Sequence, residues 1–85
     1  MSITEVDYEN LSARVEAALR TEFPQDTIVL KEGYKGRVHV MVVCAKFNGM
    51  SEEERRARVR DILDEHLKQD AQGVSLVIPY ATEEL

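Results

Sequence analysis

"FNGMSEEERRARVR", residues 47–60, holds a glycine turn, a run of glutamates and four arginines. Asn48-Gly49 turns the chain. Ser51 followed three residues later by Glu54 spells a capping box, in which the serine oxygen takes one orphan amide and the glutamate reaches back to another. Glu52 and Glu53 add negative charge at the positive end of a helix dipole. Val59, Ile62, Leu63, His66 and Leu67 then recur at helical spacing, so the stretch reads as a turn feeding a helix over about Glu52–Gln69. That helix needs a surface to bury its stripe, and the flanking segments supply it.

Upstream, "DTIVLKEGYKGRVHVMVVCAKF" (residues 26–47) reads as a β-hairpin. Residues 27–31 are rich in β-formers, and Val38–Cys44 is the strongest strand signal in the chain. Gly33 and Gly36 suit the positive φ of a hairpin turn. Val38, Val40, Val42 and Cys44 share one face of this strand. Arg37, His39, Met41 and Val43 share the other. The second face grades from polar to apolar, which predicts a central strand partly covered on both sides.

Further upstream, Leu11, Val15, Ala18 and Leu19 fall at helical spacing. Ser2 and Thr4 are candidate N-caps, Asp7 and Glu9 suit the dipole, and Pro24 stops the pattern near Phe23. Downstream, Asp70–Gly73 reads as a loop and Val74–Ile78 as a third strand, which Pro79 ends or holds at a sheet edge. Ala81–Leu85 is sized for a terminal turn. The expected class is α+β, one domain over residues 1–85, in the order α-β-β-α-β-(short α). Its three-stranded mixed sheet carries helices on one face.

Composition narrows the function classes. The 85 residues are 44% hydrophobic and 32% charged, with a formal net charge of −5. Proteins that draw their affinity from phosphates are usually basic, so nucleic acid is disfavoured as the main partner. Cys44 is the only cysteine, so neither an intrachain disulfide nor a CxxC is available. The opening "MSITEVDYEN" lacks a basic-then-apolar leader, and the longest apolar run, Val40–Ala45, is far short of a membrane span. A cytoplasmic protein without membrane contact is expected, as a monomer or weak homodimer. No nucleophile elbow, P-loop, dinucleotide fingerprint or HExxH occurs, so an enzyme is not expected. His39, His66 and Cys44 are read as structural. A metal needs at least a third donor beside the histidines, and Cys44 lies on the opposite face of its strand from His39. "GYKG" (33–36) has the GxxG spacing of KH domains, where that loop joins two helices. Between two strands it is a hairpin turn.

The element order, with "KFNGMS" leading into an arginine-bearing helix, resembles the BolA family. Phe47, Gly49 and Ser51 match that family's phenylalanine-x-glycine-x-serine signature position by position. "PYATEEL" (79–85) is similar to its ending, with Glu84 kept and Leu85 where an aromatic is usual. The resemblance covers residues 10–85 and implies a fold similar to the type II KH architecture. It also implies non-enzymatic work through protein contacts, with links to iron and iron–sulfur regulation, stress response and transcription regulation. Its implied partner is a monothiol glutaredoxin sharing a [2Fe-2S] cluster. One family ligand is a histidine at the start of the third strand, where this chain has Gly73, Val74 or Ser75. The other is a histidine or cysteine in the hairpin loop, where it has Lys35 or Arg37. A lysine or arginine cation is a poor iron ligand, because ligands must be deprotonated. Cluster ligation is therefore expected to be weakened or lost, and no metal ligand is assigned. The resemblance places the partner site at Lys35, Arg37, His39, Gly73 and Ser75.

The alternative function is nucleic-acid binding by the 47–60 turn and helix, with Arg55, Arg56 and Arg58 on phosphates. On a wheel of ~100° per residue, Arg55 and Arg56 sit at the exposed helix start, with Arg58 and Arg60 at the two borders of the stripe. Acidic neighbours Glu52–Glu54, Asp61, Asp64 and Glu65 blunt their field. Arg58–Asp61 and Arg60–Asp64 are spaced for surface pairs. A solvated amphipathic helix is the expected reading.

Overall fold

The computed structural model describes residues 7–85. Helix α1 (Tyr8–Arg20) is followed by strands β1 (Thr27–Glu32) and β2 (Val38–Cys44), helix α2 (Glu52–Leu67) and strand β3 (Val74–Ala81), with a last 3-10 turn at Thr82–Glu84. β1 pairs antiparallel with β2, and β3 pairs parallel with β2, so the mixed sheet runs β1-β2-β3. The α+β class and the element order are as expected.

Both helices pack on the sheet face made by Val38, Val40, Val42 and Cys44, all of them buried. Leu11, Val15, Ala18 and Leu19 meet them from α1, and Val59, Ile62, Leu63 and Leu67 from α2. Burying each large aliphatic or aromatic side chain is worth about 1.5–3 kcal/mol, which outweighs the modest intrinsic propensity of these segments. Phe47, the first residue of the decisive stretch, is fully buried and meets Phe23 edge-on, with ring centroids 5.6 Å apart. The Ser51–Glu54 capping box is formed, with Glu54 N–H donating to Ser51 Oγ at 3.1 Å and Ser51 N–H to Glu54 Oε1 at 2.9 Å.

Several boundaries depart from expectation. Asp7 caps α1, accepting from Asn10 N–H at 3.4 Å. Ser2 and Thr4 lie outside the described residues. Helix α2 ends at Leu67 rather than Gln69, because Lys68 turns to φ 56°. A 3-10 stretch (68–73) then brings Ala71 into the core, and Asp70 meets Arg14 of α1 at 2.7 Å. Strand β3 continues through Pro79 to Ala81. It is an edge strand, where a missing N–H is tolerated. In the hairpin turn, Gly36 (φ 78°) and Lys35 (φ 56°) take the left-handed backbone. Gly33 has φ −105°. It is glycine for another reason: a Cβ there would run into the His39 imidazole. His66 is exposed rather than on the buried stripe, whose remaining place is taken by Arg55.

Among the described residues, no helix lies on the strands' second face. His39, Met41 and Val43 are half-buried, shielded only by neighbouring strands. β2 is the central strand, as expected, and its expected partial cover on both sides comes from the helices on one side and from the neighbouring strands alone on the other.

Candidate functional site

The hairpin and β3 meet at one end of the sheet. Gly33 N–H donates to Arg37 O at 2.7 Å and Arg37 N–H to Tyr34 O at 3.1 Å, closing the turn. The parallel register Val38↔Val74 sets Arg37 beside Gly73, the two residues that lead into paired strands. The next pair is His39↔Leu76, so Ser75 is the extra residue of a β-bulge. Lys35, Arg37, His39, Gly73 and Ser75, far apart in sequence, thus share one corner. Lys35 and Arg37 are exposed and make no ion pair among the described residues. His39 is half-buried against Gly33.

The bulge also decides what the open face presents. It lets Val74 and Val77 both point to the core while Leu76, Ile78 and Tyr80 line up on the other side. There they continue the cross-strand rows of Val29, Met41 and Val43. Val29, Leu76 and Tyr80 are each about 40% exposed. Sequence reading missed these residues because "VSLVIPYA" is nearly all apolar and carries no alternation to assign faces.

Of the three arginines that the alternative reading puts on phosphates, Arg56 and Arg58 are exposed as expected and Arg55 is not. Arg55 is buried, with 7% of its surface exposed. Its Nε donates to Met50 O at 3.0 Å and its Nη1 to Glu84 Oε1 at 2.8 Å. The i,i+4 spacing of Arg55 from Val59 puts it on the inward face, and the C-terminal turn supplies its counter-ion. Arg56 pairs with Glu52 at 2.9 Å and its Nε reaches Val77 O at 3.4 Å. Arg58 pairs across the fold with Glu22 at 3.2 Å, not with Asp61. No Arg60–Asp64 ion pair forms among the described residues.

The C-terminal turn is laced to the turn before α2. Asn48 Nδ2 donates to Thr82 Oγ1, Glu83 N–H to Asn48 Oδ1, and Gly49 N–H to Glu83 Oε2. Glu84 accepts from Ala81 N–H and then from Arg55, and in that order these hold its carboxyl below its ordinary value against a smaller opposing effect of burial. Glu52, Arg55, Pro79, Tyr80 and Glu84 line a cleft of about 380 Å³ beside this contact.

Cys44 is buried on the core face, and its thiol lies 3.3 Å from Asp26 Oδ2. Burial pushes the thiol up, and Asp26 adds to this, while the Lys46 N–H works the other way. That environment favours the inert thiol over a nucleophilic thiolate.

No family model, curated protein or solved structure matches the chain. No helix of the described residues is long and apolar enough to cross a membrane.

Proposed function

We propose that this is a BolA-like, non-enzymatic protein that works through protein contacts, with the corner formed by Lys35, Arg37, His39, Gly73 and Ser75 as its partner site. The observation that carries the reading is the open sheet face running away from that corner. Contiguous apolar side chains facing solvent mark contact surfaces more often than bare surface does. The partner class comes from the family resemblance: a monothiol glutaredoxin. His39 is the one imidazole at this corner, and Lys35, Arg37, Gly73 and Ser75 add no metal-binding side chain, so a shared [2Fe-2S] cluster would be held weakly or not at all.

The test is a titration of the 15N-labelled chain with a purified monothiol glutaredoxin. Shifts centred on residues 33–39 and 73–76 support the proposal, and an unchanged spectrum at millimolar glutaredoxin removes it. Repeating the mixture anaerobically with iron and sulfide tests the ligation. A visible-absorbing mixed-ligand cluster would overturn the statement that ligation is weakened. The α2 arginines support no second reading, since Arg55, Arg56 and Arg58 are all engaged by carboxylates of the chain itself.

A further inference from the structure

The open sheet face is polarised along its strands. Its apolar rows are Val29–Met41–Ile78 and Val43–Tyr80. The row at the hairpin end is Lys31–His39–Leu76, with Lys35 and Arg37 just beyond it. Glu32, the nearby acidic residue of the hairpin, is paired with the core residue Val38 and so belongs to the opposite face. On a chain of net charge −5, this end is a local cationic rim. Lys31, Lys35 and Arg37 have no ion-pair partner among the described residues.

Size decides between occupants. Three strands about 4.8 Å apart and roughly six residues long present a face of about 14 by 20 Å, on the order of 300 Å². A stable pair of copies buries about 800 Å² on each partner, so this face is too small to hold a homodimer by itself. A second copy would also bring cations to a surface whose own rows carry no carboxylate. One α-helix, about 10 Å across, covers most of that width and leaves no room for a second.

We infer that the open face of the sheet docks a single amphipathic helix of a partner protein, whose apolar stripe lies over Val29, Met41, Ile78 and Tyr80. Its carboxylates lie at the end that overlies Lys31, Lys35, Arg37 and His39. This rests on the protein-contact reading above and adds the chemistry of the partner. Tyr80 and Leu76 are the most exposed apolar side chains of the face. Tyr80 supplies the anchoring contact, since tyrosine is among the residue types that carry most of an interface's affinity, and Leu76 adds apolar area on the same strand. The cationic rim sets orientation and association rate.

A displayed library of helical peptides with randomised faces, selected against the full chain, tests this. The expected winners carry apolar residues at i, i+3, i+4 and i+7 with Asp or Glu clustered at one end, and their amide shifts map onto Val29, Met41, Leu76 and Tyr80. The double variant Leu76→Ser/Tyr80→Ser, checked for an unchanged circular dichroism spectrum, should bind them at least about tenfold more weakly. Lys35→Ala/Arg37→Ala should weaken them several-fold and flatten the salt dependence. Winners that map to this face but are neutral or basic overturn the acidic chemistry and leave the docking surface standing. Winners that map elsewhere, or no enrichment, overturn the inference. A chain that still binds glutaredoxin in that case keeps the proposed function. Cosedimentation with phosphatidylglycerol vesicles that Leu76→Ser/Tyr80→Ser abolishes would assign the face to a membrane instead. A dimer in sedimentation equilibrium, dissociated by the same variant, would assign it to a second copy.

Discussion

Arg55 Nη1 lies 2.8 Å from Glu84 Oε1, joining the first turn of α2 to the last turn of the chain. The guanidinium is buried and also holds Met50 O through Nε. Arg55→Ala should cost about 1–3 kcal/mol in urea denaturation, because it leaves the Met50 carbonyl without its side-chain donor and takes from Glu84 one of its two donors. Arg55→Lys should recover only part of this, since an ammonium cannot hold both acceptors in the fork geometry. An unchanged midpoint in Arg55→Ala would show that the clasp contributes nothing.

The same clasp should be acid-sensitive. Glu84 has its folded-state carboxyl lowered, first by the Ala81 N–H and second by Arg55. A lowered folded value means the contribution is present above the ordinary carboxylate range and is lost as pH falls through the lowered value. Glu84→Gln should therefore lower stability at neutral pH and bring the variant and parent together in strong acid. Parallel pH profiles for the two would contradict this.

Ser51→Ala removes one half of the capping box at the start of α2. Loss of such a cap costs about 0.5–2 kcal/mol. The thermal midpoint should fall by several degrees, and Ser51→Asp should restore most of it. A midpoint within error of the parent would mean that tertiary packing alone holds the helix start.

Gly33 and His39 should behave as a coupled pair. Gly33→Ala places a methyl group against the imidazole, and should cost about 1–3 kcal/mol. In a His39→Ala background the same change should cost much less. Additive losses in this double-mutant cycle would show that the close approach does not constrain the turn.

Cys44 should resist thiol reagents in the folded protein. Its thiol is buried, and burial pushes it up. Labelling by a disulfide reagent at neutral pH should proceed no faster than the opening of the fold and should accelerate with urea. Rapid stoichiometric labelling of native protein would place the thiol at the surface.

Much of the fold was legible from short-range rules. The Ser51–Glu54 box, the stripe Val59–Ile62–Leu63–Leu67 and the alternation of Val38–Cys44 are local patterns. Each has a cause within a few residues, either an orphan amide to satisfy or one face to bury. The order of elements follows from them. The corner of Lys35, Arg37, His39, Gly73 and Ser75 was proposed as a set, and the parallel register Val38↔Val74 brings its two halves together.

What only the tertiary structure decided concerns partners distant in sequence. Arg55 looks like any surface arginine until Glu84 is seen beside it, 29 residues away. Arg58 has a suitably spaced Asp61 yet pairs with Glu22, 36 residues back. The bulge at Ser75 shifts the phase of β3, and with it the identity of the exposed face, through a register that no window on one strand contains. Periodicity reveals which side of an element must be buried, because burial is a property of that element's own spacing. Which charges meet, and which apolar residues remain in water, depends on how the elements are stacked.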